Sequence, residues 1–354
     1  MAPAPASPLE SDDLLSEILL GLPPSPSTLP RASLVCKRWR RLVTDPGFRR
    51  RFRGRPHRNP PLLGFFFKGE RGLSFTPTLD PPDRIPPDCF SLQLDDVGGW
   101  EILCCRHGLV LLLHRTRLQV LVWDPVSADL IRIAIPAGLD NTGRNFKGAV
   151  LRSSGDVHRL SGDQMSHFQV VLDEQCARAF ACVYSSDIGL WGNLISADCP
   201  SGSHLRGPSS TFIGDSLYWL IDGDSLGVLV LDLGRRCLAV IDVPSDVEIN
   251  SGLICWIVPV EGDGLGFLYL SGFNIKLWER KTGSDGIARW VVGGTIELDK
   301  LLSLSSVEWF EPMIIGFFED DNPSSSSHSM STLQSKLSWC AQSKLGLRVA
   351  MDAG

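Results

Sequence analysis

Metal chemistry would require cysteine and histidine ligands at short, paired spacings, and the chain offers little of this. Ten cysteines are scattered along 354 residues without a Cys-x-x-Cys pair, and the one cluster is Cys104-Cys105-Arg106-His107. A zinc site needs a second ligand pair at matching spacing, which the sequence does not supply. We therefore predict no bound metal, and we interpret the cysteines as reduced residues of a cytoplasmic or nuclear protein.

The other candidates for chemistry are acidic residues and histidines in the middle of the chain. His158 and His167 lie near Asp156 and Asp163, and an Asp-Gly-Asp sequence occupies 222–224. Hydrolysis needs a nucleophile and a base that the fold brings together, and Asp-Gly pairs are ordinary in hairpin turns. The glycines at 262, 264 and 266 miss the dinucleotide-binding fingerprint and precede a strand pattern. The sequence thus predicts neither catalysis nor a cofactor.

A helical pattern near the N-terminus would position a docking surface rather than a reaction centre. It begins after Ser11, Asp12 and Asp13, which suit the free N–H groups and the positive dipole of a helix start. Gly21 is predicted to end the helix in a left-handed conformation, before two prolines. The apolar residues fall on one face of this helix, namely Leu14, Leu15, Ile18 and Leu19.

A second helical pattern is predicted to be capped by Thr28 and to continue unbroken to Val43. Pro30 stands in its first turn, where a missing N–H costs no hydrogen bond. Two helices of this size cannot bury both apolar faces on each other, so they require a partner in the chain or outside it. The apolar face of the second pattern consists of Leu29, Ala32, Val35, Cys36, Trp39, Leu42 and Val43, and its opposite face is basic.

Together the two patterns resemble the F-box. The family pattern is D-x-L-x-x-x-I-L-x-x-L-P followed by L-x-x-A-x-x-V-C-x-x-W-x-x-L. A Leu-Pro pair usually precedes this pattern, and here Leu9 is followed by Glu10 in place of the proline. The PPSPST segment between the two halves of the pattern is longer than usual. The chain matches the pattern at Asp12, Leu14, Ile18, Leu19, Leu22, Pro23, Leu29, Ala32, Val35, Cys36, Trp39 and Leu42.

The resemblance implies a substrate-receptor subunit of a Skp–cullin–F-box ubiquitin ligase, which is not itself an enzyme. The implied partners are a Skp-type adaptor, a cullin reached through that adaptor, and a target protein that the sequence does not identify. No cofactor is implied. The implied adaptor-binding residues are Leu9, Leu14, Ile18, Leu19, Leu22, Pro23, Leu29, Val35, Cys36 and Trp39.

Composition and charge limit the classes of protein to which this chain could belong. No apolar run reaches the 18 residues of a membrane span, and the N-terminus lacks the basic-then-apolar order of a signal peptide. Residues 37–58 hold ten Lys/Arg and one Asp, which gives this segment a net charge of +9. Because the whole chain has a net charge of −6, the remaining residues together carry −15. With Phe48 and Phe52, this segment suggests an alternative, a non-degradative protein that binds nucleic acid or carbohydrate. It lacks a recognisable nucleic-acid motif, so we interpret it as a solvated helix face and do not expect nucleic acid as a partner.

From residue 62 the periodicity changes to that of β-strands. Short runs rich in Val, Leu and aromatic residues recur between Gly, Asp, Pro and Ser, which is typical of an all-β domain. The runs that we predict to be strands lie at 62–67, 109–113, 118–123, 168–172, 179–184, 217–221, 227–233, 253–260, 266–270 and 275–278.

An internal repeat relates residues 108–136 to residues 216–244. The two segments align without gaps, and ten of 29 positions are identical, including Leu109/Leu217, Leu112/Leu220, Asp124/Asp232 and Pro136/Pro244. Each segment has the pattern of three strands, and 168–195 and 264–298 look like related units. One such meander cannot cover both of its faces, so several are expected to stack around an axis as a β-propeller of five or six blades, with a β-sandwich as the alternative.

The amino-acid sequence of the repeat resembles the kelch-like associated domains of plant F-box proteins, although a kelch signature is lacking. The predicted fold is a small all-α F-box followed by this all-β domain. Residues 323–354 contain nine serines and no strand periodicity, which is typical of disorder. The predicted organisation is 1–8 disordered, 9–52 F-box, 53–61 linker, 62–318 β domain and 319–354 disordered or divergent tail.

Overall fold

Within the residues that it describes, the structure, a computed structural model, contains four α-helices followed by nineteen β-strands. It describes residues 11–53, 62–69, 72–96, 99–106, 108–136, 138–139, 145–152, 168–175, 178–200, 202–245, 247, 254–260, 262, 264–298 and 300. Two compact units divide these residues. The helices belong to one unit with residues 62–66 and 75–89, and residues 67–74 and 90–300 belong to the other. The segments predicted to be disordered, 1–8 and 319–354, lie outside the described residues, so those boundaries remain predictions.

The helical unit contains one more break than the periodicity predicts. Its helices are α1 (Asp12–Leu20), α2 (Thr28–Val35), α3 (Lys37–Thr44) and α4 (Pro46–Arg53). The prediction of one helix over 28–43 is wrong, because Cys36 is extended (φ −164°, ψ 171°) and separates α2 from α3. A continuous helix would turn Val35 and Cys36 toward the same side as Ala32 and Trp39. The break instead leaves both of these residues exposed.

The ends of the helices also differ from expectation. Gly21 has φ −71° and is not left-handed, and Ser27 rather than Thr28 is the N-cap of α2. The Asp45-Pro46-Gly47 sequence, which is typical of a turn, lies at the start of α4. There the Phe48 N–H donates to Asp45 Oδ2 at 2.8 Å, and Pro46 occupies the first helical position.

The helices pack around one small apolar core. Its fully buried members are Leu15, Leu19, Leu20, Ala32, Val43 and Phe48. Leu22, Leu29, Trp39, Leu42 and Phe52 cover its margin and remain partly exposed. Among the described helices, none has both the length and the apolar character needed to cross a lipid bilayer.

The strands form a two-stranded pair and four larger antiparallel sheets. The pair is β1 (Gly64–Gly69) with β2 (Gly72–Pro77). Sheet 1 contains β3 (Trp100–Arg106), β4 (Leu109–His114), β5 (Gln119–Trp123) and β6 (Leu130–Ala134). Sheet 2 contains β7 (Asn145–Arg152), β8 (Phe168–Gln175), β9 (Arg178–Ser185) and, along one edge of β9, both β10 (Leu190–Trp191) and β11 (Ile195–Asp198).

Sheets 3 and 4 repeat the same up-and-down order. Sheet 3 contains β12 (His204–Ile213), β13 (Ser216–Asp222), β14 (Gly227–Asp232) and β15 (Cys237–Asp242). Sheet 4 contains β16 (Ile254–Val260), β17 (Gly264–Ser271), β18 (Asn274–Thr282) and β19 (Ala288–Glu297). All ten predicted strand runs are confirmed.

Successive sheets stack face to face and share apolar layers. Leu111 and Val122 of sheet 1 pack with Val150 and Val170 of sheet 2. The other face of sheet 2 packs on sheet 3, and the other face of sheet 3 packs on sheet 4. This serial stacking is that of a β-propeller and excludes the two-sheet sandwich. The described strands supply four sheets and one pair, so the blade number of five or six remains a prediction.

The first strands of sheets 1, 2 and 3 were not among the predicted strand runs. Strands β3, β7 and β12 mix apolar, charged and small residues, and they lack the continuous apolar run that marks a strand buried on both faces. The ladder between β12 and β13 is interrupted between Arg206 and Thr211, which is where Pro208 falls. A proline within a run argues against a central strand, so the signal was weak.

Tryptophans tie the last strands of neighbouring sheets together. The Trp191 indole N–H donates to the Ala134 carbonyl at 2.8 Å, which joins β10 to the end of β6. The Trp290 indole N–H donates to the Asp242 carbonyl at 2.7 Å, which joins β19 to the end of β15. Two sheet junctions therefore use the same device, and the repeat did not reveal it.

The repeated aspartates hold the turns between the third and fourth strands of sheets 1 and 3. Asp124 Oδ1 accepts the N–H of Val126 at 2.9 Å, and Asp232 Oδ1 accepts the N–H of Arg235 at 2.7 Å. Pro136 and Pro244 each lie two residues past the end of the fourth strand. The repeat therefore covers the second to fourth strands of sheets 1 and 3.

Candidate protein-binding surfaces

The helical unit leaves large aliphatic side chains in solvent. The exposed fractions are 53% for Leu14, 47% for Ile18 and 61% for Val35. Leu34, which the sequence analysis did not name, is 74% exposed. Pro23 and Cys36 are exposed as well. Several exposed aliphatic residues on so small a unit mark a surface that binds another apolar surface.

The remaining predicted residues lie deeper. Leu19 is only 1% exposed and packs inside the helical core. Leu22, Leu29 and Trp39 are partly buried against that core, so they support the surface while keeping part of each side chain accessible. Leu9 lies outside the described residues. No observation tests adaptor contact, so the predicted set remains a prediction that now divides into exposed and supporting members.

An ion pair brings the start of α1 to the junction of α2 and α3. Arg38 Nε lies 2.6 Å from Asp12 Oδ1, and Arg41 Nη2 lies 3.3 Å from Asp12 Oδ2. The hydrogen bond from Arg38 is the main reason that the pKa of Asp12 lies below its ordinary value. Leu14 and Cys36 each lie two residues from a member of this pair. The pair therefore helps to bring the exposed residues of α1 near those at the end of α2.

The start of α2 is held by a residue far along the chain. The Ser27 backbone N–H donates to Asp83 Oδ1 at 2.8 Å, and bonds from Ser27 lower the pKa of Asp83. Ser27 is the N-cap of α2, and its own side chain makes no capping bond. The carboxylate of Asp83 therefore satisfies a donor next to the positive end of this helix.

The basic segment presents guanidinium groups but not its aromatic rings. Arg41, Arg49 and Arg50 are exposed, and Arg51 pairs with Glu17. Phe48 is buried in the helical core, and Phe52 packs at its margin with a ring-centroid distance of 6.1 Å to Phe48. Base stacking needs accessible rings. The positions of Phe48 and Phe52 therefore argue against the alternative in which these rings stack on nucleic-acid bases.

The candidate residues for chemistry in the middle of the chain are not tested by the structure. His158, His167, Asp156 and Asp163 lie outside the described residues. Within the described part of the chain, no group of three or more His, Cys, Asp or Glu side chains is arranged to hold a metal ion. Cys104 is buried, and Gly262 leads into β17 rather than a helix.

Two buried polar residues in the β domain serve the fold. His114 Nε2 lies 3.2 Å from Asp96 Oδ2, and its Nδ1 accepts the Arg117 N–H at 3.3 Å. Nδ1 thus holds the turn after β4, Nε2 ties the residue to the segment before β3, and His114 is fully buried. Arg106 Nη2 donates to the Ser210 carbonyl at 3.0 Å, which links the first strands of sheets 1 and 3.

Turns of the β domain carry exposed aliphatic residues at equivalent places. Val126, Ile188 and Ile287 lie between the third and fourth strands of sheets 1, 2 and 4. Asp124 and Asp285 accept the N–H groups of Val126 and Ile287, so these turns are rigid. Ordered turns with apolar tips can contact another protein without a large ordering cost.

The helical segment and the β domain each match a known family. Residues 11–51 match the F-box domain, and residues 101–309 match the family described as F-box protein AT5G49610-like, beta-propeller. An Arabidopsis thaliana protein named as an F-box protein, At3g19560, is 29% identical over 123 residues. That alignment covers 33% of the chain and 33% of the relative, so the chain spans about a third of this relative.

Similar solved structures are distant. A KlHsv2 variant with loop 6CD replaced by a Gly-Ser linker is 13% identical, with a TM-score of 0.38, and 66% of this chain and 71% of that chain are covered. A streptogramin B lyase is 14% identical, with a TM-score of 0.34, and 66% and 70% are covered. Similarity at this level carries no argument about function.

The propeller match covers more than half of the chain and follows an F-box, so the protein belongs to the plant F-box proteins of the AT5G49610-like β-propeller family.

Proposed function

We propose that this protein is the substrate-receptor subunit of a Skp–cullin–F-box ubiquitin ligase. The helical unit binds a Skp-type adaptor and, through it, a cullin. The β domain recruits a target protein for ubiquitination. The observation that carries the proposal is the exposed aliphatic surface of Leu14, Ile18, Leu34 and Val35 on a unit that matches the F-box domain.

The proposed role is one of proximity rather than catalysis. The chain holds a target lysine near ubiquitin that another subunit carries, which raises its effective concentration without new chemistry. The exposed turns of the β domain, including Val126 and Ile188, are the proposed contacts with the target. No disulfide joins the cysteines of the described residues, and this supports the proposed cytoplasmic or nuclear location.

The test is binding to a purified Skp-type adaptor. Val35→Asp places a carboxylate on the exposed surface, where burial against an apolar partner strongly disfavours it. We expect affinity for the adaptor to fall by at least about tenfold, measured by calorimetry. The matched control is Val292→Asp on β19, since Val292 and Val35 are 59% and 61% exposed. Equal binding by wild type and Val35→Asp would contradict the proposed contact.

Trp39→Ala combined with Leu14→Ala is a second, harsher variant. It should abolish recovery of the adaptor while the β domain stays folded. Because Trp39 is partly buried against the helical core, this variant also weakens the unit itself. Leu14→Asp alone separates the two effects, since Leu14 is exposed.

The alternative function, nucleic-acid or carbohydrate binding through the basic segment, is tested with a charge variant. Changing Arg49, Arg50, Arg51 and Arg53 to Gln should leave adaptor affinity intact. If wild type binds RNA or DNA below micromolar with a steep salt dependence that the variant loses, the alternative is correct.

A further inference from the structure

Helix α2 presents part of the exposed aliphatic surface, yet apolar packing holds it weakly. Among the eight residues of α2, which are all described, Ala32 alone is buried, whereas three leucines of α1 are buried. A helix of eight residues is marginal in water by itself, because few hydrogen bonds offset the cost of starting it. The positions of Leu34 and Val35 at the end of α2 therefore depend on the polar contacts that hold this helix.

The helices differ in where the carboxylate at their positive end comes from. Helix α1 carries Asp12 and Asp13 in its first turn, and Asp45 caps α4. Helix α2 has no acidic residue in its first turn, and the side chain of its N-cap, Ser27, makes no capping bond. The carboxylate at this end is that of Asp83, which lies 56 residues from Ser27 in the sequence.

Several groups at the start of α2 act on the Asp83 carboxylate. Its Oδ1 accepts the Ser27 backbone N–H at 2.8 Å. The hydrogen bond from the Ser27 side chain is the main cause of the lowered pKa of Asp83, and the backbone bond and the charge of Arg31 lower it further. The Arg31 N–H in turn donates to the Ser27 carbonyl at 2.9 Å. Asp83 therefore holds the residue at which the hydrogen bonding of α2 begins.

Asp83 is itself fixed to the helical unit. Residues 75–89 belong to that unit, as do residues 62–66. Within it, the Thr78 N–H donates to the Leu63 carbonyl at 3.1 Å, and the Asp83 N–H donates to the Asp80 carbonyl at 3.0 Å. The segment lies between the F-box match and the propeller match and belongs to neither. The carboxylate thus comes from an anchored part of the chain to which the family matches assign no role.

We propose that Asp83 is a positioning residue for the adaptor-binding surface, and that residues 75–89 are a functional part of the unit that binds the adaptor. Asp83 acts through α2 rather than by contact with the adaptor, since Leu34 lies roughly 10 Å further along the helix than Ser27. Without this carboxylate the start of α2 opens more often, and the adaptor binds only the fraction of molecules in which the surface is formed. The assignment rests on the proposed function, because it concerns the same surface.

Adaptor affinity of the full chain, measured by calorimetry, is the first test. We expect Asp83→Ala to weaken binding about three- to tenfold, which is the range for loss of a helix cap. Asp83→Asn should fall between wild type and Asp83→Ala, because its amide oxygen still accepts the Ser27 N–H but carries no charge. The matched control is Asp80→Ala, which removes an exposed carboxylate from the same turn and should leave affinity unchanged.

The outcomes separate this assignment from the proposed function. If wild type binds the adaptor and Asp83→Ala binds it equally well, the assignment of Asp83 is wrong while the proposed function stands. If wild type does not bind a Skp-type adaptor, both are wrong. An equal loss of affinity in Asp80→Ala and Asp83→Ala would also overturn the assignment, because it would show a general effect of charge in this turn.

Hydrogen exchange in the full chain without adaptor distinguishes positioning of α2 from general stabilisation of the helical unit. Asp83→Ala should accelerate exchange of the amides of residues 31–35 at least about threefold, and those of α1 less than about twofold. Leu19→Ala, which alters the buried core, should accelerate exchange in both helices. Equal acceleration in α1 and α2 by Asp83→Ala would overturn the positioning role. Asp83→Asn, the milder change, provides the same comparison if Asp83→Ala does not fold.

Discussion

Sheets 1 and 3 carry the repeated sequence, but the hairpins formed by their second and third strands pair in different registers. In sheet 1, Leu111 pairs with Val122, and in sheet 3 the equivalent Val230 pairs with Tyr218 rather than with Trp219. The last registered pairs are His114–Gln119 and Ile221–Gly227, so the turn of sheet 3 is one residue longer. A shift of one residue moves every side chain to the opposite face of the strand.

The consequence is visible at two identical leucines. Leu109 lies on the face of sheet 1 that packs on sheet 2, together with Val122. Leu217, its partner in the ungapped alignment, lies on the opposite face from Val230 and packs back on sheet 2. The pairs Leu109/Leu217 and Leu112/Leu220 are therefore not structural equivalents. From the second strand of the repeat onward, which is β5 in sheet 1 and β14 in sheet 3, the alignment holds, because β5–β6 and β14–β15 share one register.

The shift also changes which residue fills each layer. Trp219 stands at the register position of Leu112, since these residues pair with Leu229 and Leu121. In sheet 3, this large ring faces the small side chains of Ala149, Ala179 and Ala181. Sheet 1 meets the bulkier Phe146 and Phe168 on its shared face. Large and small residues thus complement each other across each layer.

The largest expected effect follows from that complementarity. Trp219→Ala should lower the free energy of unfolding by about 3–5 kcal/mol, because it opens a cavity opposite three alanines. Trp219→Phe should cost less, because within the described residues the buried indole N–H has no hydrogen-bond partner. Denaturant unfolding provides the measurement. A loss below about 1 kcal/mol for Trp219→Ala would refute the packing described for this layer.

The register shift itself is tested by coupling between sheets. Leu217→Ala should cost about 2–5 kcal/mol, and a double-mutant cycle with Leu151→Ala on sheet 2 should show coupling of about 0.5–3 kcal/mol. The matched cycle pairs Leu217→Ala with Phe267→Leu on sheet 4, and its effects should add. Coupling to Phe267 instead of Leu151 would mean that the ungapped alignment, and not the observed register, is correct.

The smallest effect concerns two valines that the repeat aligns correctly. Val122 and Val230 both face the next sheet, but Val122 is fully buried and Val230 is only partly buried. Val122→Ala should cost on the order of 1–3 kcal/mol, and Val230→Ala should fall at the low end of that range. Melting temperatures of the two variants give the comparison. A larger loss at Val230 would show that these positions do not share a role.

Most of the strands could be predicted because their residues are buried on both faces. All six residues of β4 are buried, which produces the continuous apolar run seen in the sequence. The first strands of sheets 1, 2 and 3 were missed because they lack that run. The surface that we propose for the adaptor was predicted from the family resemblance alone. Local sequence does not show that Leu34 is exposed and Leu19 is buried, because both are leucines within short helices. Only the packing of α1 and the break at Cys36 separate them.

The sequence by itself determined the helical start, the strand-rich remainder, the repeat and the family pattern, because these depend on periodicity and local turn chemistry. The tertiary structure alone decided which face each strand presents and which leucines of the helical unit remain in solvent. Both depend on contacts between distant segments, such as Asp12 with Arg38, Ser27 with Asp83 and Trp219 with Ala149. One extra residue in a turn reverses a strand without changing its composition, so no local pattern records it.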